Sequence, residues 1–173
     1  MKPQQPVAAI GVIGLGLIGT SLAKRLLQAG FTVAGFDIAE DRRANLAMLG
    51  GIACNSARDV GERCKTIVLA VFNTDQVESV VESAGGANPG KEHLLICTST
   101  CDPDRIEALA RRASANGIRF LESPLSGNSD QIAKGNGVAL VGGVRDDMAA
   151  AQPVLDALCK QRFYLGPRSA EHT

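Results

Sequence analysis

The most constraining feature of this sequence is a set of glycines that directly follows an apolar run. The run Ala8–Ile13 is typical of a buried β-strand, and Gly14, Gly16 and Gly19 follow it at fixed spacing. At a turn from a strand into a helix, Gly14 permits the tight bend, Gly16 presents no Cβ to an approaching pyrophosphate, and Gly19 allows the helix to pack closely on the strand. The unpaired N–H groups at the start of such a helix attract anions. The pattern therefore predicts a loop for dinucleotide phosphates, made by Gly14, Leu15, Gly16, Leu17, Ile18 and Gly19.

A helix and a second strand continue the pattern. The predicted helix has an apolar stripe at Leu22, Leu26 and Ala29. The β-prone run 31–36 then leads to Asp37, at about the 20-residue distance from the glycines where dinucleotide-binding folds carry an acidic residue. A carboxylate there accepts hydrogen bonds from the adenosine ribose hydroxyls and repels a 2′-phosphate. Asp37 therefore favours NAD as the cofactor over NADP.

Arg42 and Arg43 complicate that preference, because either side chain could approach a 2′-phosphate. A pair of charges in the first turn of a surface helix is usually solvated, so we expect both arginines to face water. The alternative is a related nucleotide fold that binds a flavin or the adenosyl group of a methyl donor. With the strand, glycines, helix and acid in register, NAD is the cofactor that the sequence favours.

Composition narrows the class of protein. The 173 residues are 45% hydrophobic and include 18 basic and 18 acidic side chains, so we expect one domain with a sizeable core and no nucleic-acid partner. No apolar run reaches the length of a membrane span, and residues 1–6 lack the apolar centre of a signal peptide. We therefore expect no membrane association and a cytoplasmic location.

The cysteines are five in number and show no C-x-x-C spacing. An odd count without that spacing supports neither a disulfide framework nor a metal site. We expect reduced and mostly buried thiols at Cys54, Cys64, Cys97, Cys101 and Cys159.

Apolar, β-prone runs alternate along the chain with amphipathic stretches, an order that is typical of βαβ crossovers. The predicted fold is therefore α/β: a Rossmann-like, doubly wound and mostly parallel sheet of about eight strands with helices on both faces. Residues 1–165 form the dinucleotide-binding domain in this interpretation. Helices are expected to begin at Ser56, at Asn73 or Thr74, and at Asp102. The expected strands cover residues 8–13, 31–36, 51–54, 66–71, 94–97, 118–121, 138–141 and 163–165.

Loops of small or polar residues follow three of the predicted strands. In doubly wound sheets ligands bind beyond the carboxyl ends of the strands, which directs attention to residues 71–73, 98–100 and 123–128. Ser99 and Thr100 are equally suited to begin the next helix, so helix capping remains an alternative for them. Three such loops at one edge favour a shared ligand site.

Taken in order, these segments resemble the β-hydroxyacid dehydrogenase family. That family includes enzymes for 3-hydroxyisobutyrate, threonate and tartronate semialdehyde and, more distantly, 6-phosphogluconate dehydrogenase. The resemblance extends over nearly the whole chain. The segments that carry it are the glycine loop 14–19, Ser99-Thr100, Ser123-Pro124-Leu125-Ser126-Gly127-Asn128 and Gly142-Gly143.

The resemblance implies hydride transfer between a nicotinamide cofactor and a small 3-hydroxyacid substrate. It places the loop of Val71, Phe72 and Asn73 beside the cofactor and Thr100 near the nicotinamide. The family segment that matches residues 123–128 reads Ala-Pro-Val-Ser-Gly-Gly and binds substrate. It therefore implies substrate contacts for Ser126, Gly127 and Asn128, although Asn128 stands where the family has glycine.

The resemblance also implies a second, all-helical domain whose first long helix supplies a catalytic lysine, which moves a proton beside the reacting carbon and oxygen. Residues 166–173 look like the start of the connection to that domain, and the lysine falls beyond Thr173. No residue of this chain is therefore assigned a catalytic role, and the chain alone is expected to be inactive. We interpret Lys134 as an exposed loop cation and His93 as a surface residue. Homo-oligomers, where they form, are expected through the helical domain.

Three functional hypotheses remain open. The first is the NAD-binding domain of a 3-hydroxyacid dehydrogenase. The second is a stand-alone module that binds NAD(H), or has a regulatory role, without catalysis. The third is a fragment of an imine reductase, because those enzymes share the first domain and replace the lysine. The first hypothesis also predicts an exposed apolar patch near the C-terminal end of the chain.

Overall fold

The computed structural model describes residues 8–85 and 92–167. The strands within these ranges are β1 Ile10–Ile13, β2 Val33–Phe36, β3 Ile52–Ala53, β4 Thr66–Leu69, β5 Leu94–Cys97, β6 Arg119–Glu122, β7 Leu125–Ser126, β8 Val138–Gly142 and β9 Gln161–Gly166. The helices are α1 Leu17–Gln28, α2 Glu40–Met48, α3 Ala57–Arg63, α4 Thr74–Gly85, α5 Pro103–Ala115, α6 Ser129–Ala133 and α7 Arg145–Leu158. What the sequence predicts for residues 1–7, 86–91 and 168–173 lies outside the described residues.

The strands form one sheet, in which β1 to β6 are parallel and stand in the order β3-β2-β1-β4-β5-β6. β8 runs antiparallel to β6 and β7, and β9 runs parallel to β8. This order of the first six strands is that of the doubly wound dinucleotide-binding fold. The predicted α/β architecture is confirmed. The described residues form nine strands rather than eight, because the two-residue β7 is too short to show a sequence periodicity.

Each face of the sheet is covered by its own layer of helices. On one face, Val68 and Ile96 pack with side chains from α1, α6 and α7. On the other face, Ile67 and Leu95 pack with side chains from α3, α4 and α5. Burial on both faces explains why these strands are continuous apolar runs rather than alternating ones. No helix in the described part of the chain is long and apolar enough to span a bilayer.

Side-chain caps fix the start of three helices at the expected places. Ser56 Oγ accepts a hydrogen bond from the Asp59 N–H at 3.0 Å, and Asp102 Oδ1 accepts one from the Arg105 N–H at 3.0 Å. For α4 the two candidates are resolved, because Asn73 Oδ1 accepts from the Gln76 N–H at 3.0 Å. These caps place the loops before α3, α4 and α5 at the carboxyl ends of their preceding strands.

Two local predictions are wrong. Ala29 is exposed rather than part of the apolar stripe, because α1 ends at Gln28 and Gly30 turns the chain with a φ of +91°. His93 is fully buried rather than at the surface, since it leads into the central strand β5 and its Nε2 lies 2.8 Å from the Gly61 carbonyl oxygen of α3. Lys134 is exposed as expected and lies 3.4 Å from Asp130 Oδ2.

The turn between β1 and α1 is fixed by close backbone packing. Gly14 has a φ of +92°, and a Cβ at this position would overlap the carbonyl oxygen of Ala70. A Cβ at Gly19 would overlap the carbonyl oxygen of Gly14, so the first turn of α1 lies directly against the loop. Gly16 differs, because the nearest atom in the direction of its missing Cβ is Arg42 Nη1 at 3.8 Å. The turn therefore needs Gly14 and Gly19 for packing, whereas Gly16 leaves a space.

We expect Gly19→Ala to lower the free energy of unfolding by about 3 kcal/mol, because the new methyl group forces α1 away from the Gly14 carbonyl. Gly16→Ala is the matched control. Its methyl group meets open space, so the free energy of unfolding should change by less than about 1 kcal/mol. Urea denaturation followed by circular dichroism measures both values. Equal stability of the two variants would show that α1 can move away from the loop without cost.

Candidate cofactor-binding cleft

Five parallel strands end at the same level, which places the loops after them along one edge of the sheet. The neighbours across β2, β1, β4, β5 and β6 are Phe36, Ile13, Leu69, Cys97 and Glu122, in that order. Each is the last residue of its strand. The loops singled out from the sequence therefore meet at the carboxyl edge, where doubly wound folds bind ligands.

A cleft of about 940 Å³ opens along this edge. That volume is at the upper end of the range found for ligand pockets. The cleft is lined by the glycine loop, the end of β2, the loops after β4 and β5, β7, and the adjacent faces of α3 and α4. In the described ranges, no cluster of three His, Cys, Asp or Glu residues could hold a metal ion.

The glycine loop presents the N-terminus of α1 to the cleft. Within the described residues no side chain caps this helix, so the N–H groups of its first turn and the positive end of its dipole are available to an anion. The other loop residues lie behind this surface: the Leu15 side chain is buried, and Gly19 packs on the Gly14 carbonyl. Four residues of the loop line the cleft, namely Gly14, Gly16, Leu17 and Ile18.

The carboxylate of Asp37 holds the end of β2 against the glycine loop. Its Oδ2 accepts a hydrogen bond from the Leu15 N–H at 2.8 Å, and its Oδ1 accepts one from the Ala39 N–H at 2.9 Å. Asp37 is only 7% exposed, yet it lines the cleft. Each carboxylate oxygen has further lone-pair capacity, so this position can also accept hydrogen bonds from a ligand.

Arg42 is exposed to water as expected, Arg43 is only partly exposed, and both reach oxygen atoms of Asp37 at the start of α2. Arg42 is half exposed but lines the cleft, with Nη1 3.4 Å from Asp37 Oδ2. Arg43 Nη1 donates to the Asp37 carbonyl oxygen at 2.8 Å, and its guanidinium lies 5.7 Å from the Phe36 ring centre. Arg42 is thus the cation beside the carboxylate in the cleft, and Arg43 supports the backbone behind it.

The loop after β4 and one face of α4 form the opposite wall. Val71 and Phe72 line the cleft, and Phe72 is 89% exposed. The Phe72 N–H donates to Gln76 Oε1 at 2.8 Å, which ties this loop to α4. Asn73, a predicted cofactor residue, does not line the cleft and caps α4 instead.

Sequence reasoning missed the contribution of α3 and α4 to the wall. From α4 it omitted Gln76, Ser79, Val80 and Ser83, and from the start of α3 it omitted Ser56, Ala57 and Arg58. On α4 a signal was available in the sequence. Gln76, Ser79, Val80 and Ser83 are spaced by three and four residues, which places them on one face of the helix, and the side chains of Ser79 and Ser83 are small.

The loop after β5 is held by hydroxyl groups. Thr98 Oγ1 donates to the Leu69 carbonyl oxygen at 2.8 Å, and Ser99 Oγ donates to the Val71 carbonyl oxygen at 2.6 Å. Both hydroxyls are thus used to join neighbouring loops rather than to cap α5. Thr100 follows them, is exposed and lines the cleft, as its predicted role requires.

The loop from β7 to α6 reaches the cleft through only one of its three predicted residues. Gly127, with a φ of +139°, lines the cleft, whereas Ser126 and Asn128 do not. Asn128 begins α6, because its Oδ1 accepts from the Gln131 N–H at 2.9 Å and its own N–H donates to Gln131 Oε1 at 2.9 Å. Leu125 and Ile132 add apolar surface beside Gly127.

Among the described residues, the lining of the cleft near Thr100 and Gly127 consists of groups suited to binding. In the described part of the chain its charged lining residues are Asp37, Arg42, Arg58 and Asp75. No lysine or histidine of the described ranges lines it. The space beside Gly16, the uncapped start of α1 and the carboxylate of Asp37 fit the pyrophosphate and ribose of a dinucleotide.

Two curated relatives match most of this chain. L-Threonate dehydrogenase of Cupriavidus necator is 36% identical to it over 161 residues, which cover 91% of the chain and 54% of that protein. The mitochondrial 3-hydroxyisobutyrate dehydrogenase of Homo sapiens is 32% identical over 162 residues, which cover 91% of the chain and 47% of that protein. The chain thus spans about half the length of these curated relatives.

Solved structures share the architecture. 3-Hydroxyisobutyrate dehydrogenase from Salmonella typhimurium matches with a TM-score of 0.85 at 26% identity, over 92% of this chain and 56% of that one. An imine reductase from Pseudomonas sp. matches in fold with a TM-score of 0.83 at 22% identity, over 93% of this chain and 56% of that one. The family described as the NAD binding domain of 6-phosphogluconate dehydrogenase matches residues 9–166, and the chain belongs to that family.

Proposed function

We propose that this chain is the cofactor-binding half of a dehydrogenase that transfers a hydride between the nicotinamide ring of NAD and a 3-hydroxyacid. The observation that carries the proposal is the convergence of the uncapped N-terminus of α1, the Asp37 carboxylate and the Thr100 loop on one cleft. The similarity to hydroxyacid dehydrogenases along 91% of the chain supports the class of substrate.

Each wall of the cleft suits one part of the cofactor. The N–H groups of the first turn of α1 bind the pyrophosphate, which enters the space beside Gly16. Asp37 accepts the ribose hydroxyls, while Val71 and Phe72 pack from the opposite wall. Asn73 acts through its cap, which holds the Phe72 loop in place. Thr100 lies at the nicotinamide end, where bound NAD supplies the hydride acceptor.

The loop at residues 126–128 supplies the proposed contacts to the substrate carboxylate. Gly127 lines the cleft and follows β7, which lies on the β6 side of β5 in the sheet. Thr100 follows β5, so both residues lie towards the same end of the cleft. Ser126 is exposed beside Gly127. Because the Asn128 N–H and Oδ1 are both used at the start of α6, its Nδ2 group is the part of this residue that remains to donate to a substrate oxygen.

We propose that a helical domain follows residues 166–173 and supplies the proton-transfer lysine. Two observations support this proposal: the relatives are about twice as long as this chain, and the cleft lining in the described residues has no lysine. Phe163 and Leu165 of β9 are 58% and 68% exposed. They form the expected apolar patch, which we propose is covered by that domain. Homo-oligomers are proposed to form through the same domain.

A cytoplasmic location is also proposed. Its support is the state of the thiols, because no disulfide joins the five cysteines, all of which lie in the described ranges, and four of them are buried. Stable disulfides are rare in reducing compartments.

We expect the 173-residue chain to bind NADH but to show negligible turnover, because no lysine or histidine of the described residues lines the cleft, which is also open to water. A longer version with the helical domain should oxidise 3-hydroxyacids. NADH fluorescence titration measures the first property, and a panel of 3-hydroxyacids and cyclic imines measures the second. Rapid hydride transfer by the 173-residue chain would show that the helical domain is not needed for proton transfer. Activity of the longer version on imines alone would assign it to the imine reductases instead.

Asp37→Ala should weaken NADH binding and narrow the preference for NADH over NADPH by about tenfold, because removal of the carboxylate frees Arg42 to approach a 2′-phosphate. The matched variant combines Asp37→Ala with Arg42→Ala. It should not show the increase in NADPH affinity that Arg42 gives to the single variant Asp37→Ala. Calorimetric titration of the unmodified chain and the two variants with both cofactors gives the six dissociation constants. Tighter binding of NADPH than NADH by the unmodified chain would show that the arginines decide the choice. Urea denaturation controls for the lost Leu15 hydrogen bond.

A further inference from the structure

Cys97 and Cys101 enclose the loop that faces the nicotinamide end of the cleft. Cys97 is the last residue of β5, and each of the three residues between the cysteines lines the cleft. The two sulfur atoms are 3.9 Å apart. Both lie near the Ser99 carbonyl oxygen, at 3.8 Å for Cys97 and 3.6 Å for Cys101. Two thiols are therefore in contact at the base of a short loop that forms part of the cleft wall.

We propose that this pair is a reversible oxidation site: a hydroperoxide joins Cys97 and Cys101 in a disulfide, which displaces the intervening loop and weakens NAD binding. The inference depends on the cleft holding the cofactor, as proposed above. Formation of the disulfide between Cys97 and Cys101 does not depend on cofactor binding.

The two thiols differ in access and in acidity. Cys97 is 1% exposed, whereas Cys101 is partly exposed. The hydrogen bond with Cys97 lowers the pKa of Cys101 to about 7, and the Thr74 hydroxyl and the charge of Arg105 act in the same direction, against burial and Glu122. The hydrogen bond with Cys101, followed by burial, raises the pKa of Cys97. Cys101 is therefore the thiol that reacts first, since the thiolate is the nucleophile.

Two buried cysteines elsewhere in the chain lack these properties. Burial is the main reason that the pKa of Cys54 is raised to about 11, and burial also raises the pKa of Cys159. Both therefore remain thiols at neutral pH and are poorly accessible to an oxidant. The contact between Cys97 and Cys101 also gives the oxidised sulfur an immediate partner.

The chemistry balances with one equivalent of hydrogen peroxide as the oxidant. The Cys101 thiolate attacks one oxygen, the O–O bond breaks, and the departing hydroxide takes up a proton to form water, which leaves a sulfenic acid. Cys97 then loses its proton and its sulfur attacks the Cys101 sulfur. The S–O bond breaks, and the departing hydroxide becomes the second water. The two thiols are oxidised by two electrons in total, and the peroxide is reduced.

The disulfide forms only when the two sulfur atoms move closer together. An S–S bond is about 2.05 Å long, so the two sulfurs must approach each other by nearly half of their present separation. Cys97 is held in the centre of the sheet by its pairing with Leu69 and Glu122, so the movement falls on Cys101 and the residues before it. The hydrogen bond from Ser99 Oγ to the Val71 carbonyl oxygen, 2.6 Å long, fixes the reduced loop and must adjust.

This displacement links the redox state of the pair to the cofactor. If the disulfide weakens NADH binding by about tenfold, NADH must favour the dithiol by the same factor, since coupling between two sites is reciprocal. For a two-electron couple, tenfold corresponds to about 30 mV. Saturating NADH should therefore make the reduction potential of the pair less negative by about 30 mV.

The test uses the whole chain treated with one equivalent of hydrogen peroxide. The tryptic peptide Glu92–Arg105 contains both cysteines, so an internal disulfide lowers its mass by that of two hydrogen atoms. NADH fluorescence titration before oxidation, after it, and after dithiothreitol should show a loss of affinity of about tenfold that is fully reversed. A glutathione redox titration with and without NADH measures the potential.

Cys101→Ser should abolish both the mass change and the loss of affinity on oxidation. Cys159→Ala, which removes a buried thiol from the end of α7, should keep both. Overoxidation of Cys101 without bond formation, or a faster reaction at another cysteine, would overturn the oxidation site. A disulfide that leaves NADH affinity unchanged would overturn its link to the cleft. Absence of NADH binding by the reduced chain would instead contradict the proposed function, while the peptide mass still reports the disulfide.

Discussion

The structure of the cleft depends on the hydrogen bond between the Leu15 N–H and the carboxylate of Asp37. This 2.8 Å bond joins the turn after β1 to the end of β2, and the other carboxylate oxygen accepts from Ala39 at the entry to α2. A hydrogen bond to an ionised group is among the stronger ones, and leaving a buried N–H unpaired costs about 1–3 kcal/mol. The same carboxylate is the proposed ribose ligand. Binding and local architecture are therefore linked in one side chain.

The features predicted correctly from sequence are those that adjacent residues determine. The turn at Gly14, the packing at Gly19 and the caps at Ser56 and Asp102 each depend on a local steric or hydrogen-bonding requirement that a particular residue type meets. The strand and helix alternation is local in the same sense. These requirements were sufficient to predict the α/β sheet and the position of the glycine loop.

The features that sequence reasoning missed depend on which segments meet in space. Arg42 remains half exposed but also reaches Asp37, because α2 begins beside that carboxylate. His93 is buried because its strand lies at the centre of the sheet. The contact between Cys97 and Cys101 requires the tight path from β5 into α5, which spacing alone does not specify. Of the predicted substrate residues, only Gly127 lines the cleft, since the Asn128 cap depends on a helix that had not been predicted.

The central position of β1 has a consequence for how this chain acquires its structure. β1 pairs with β2 on one side and with β4 on the other, where Ile10 stands opposite Thr66. Among the described strands, β1 leaves the ribosome first, and more than fifty further residues must follow before both of its edges can be paired. Long-range parallel pairing of this kind is slow and leaves apolar strands uncovered in the meantime. During synthesis, β1, which leads into the glycine loop, is thus the described strand that waits longest for both of its neighbours.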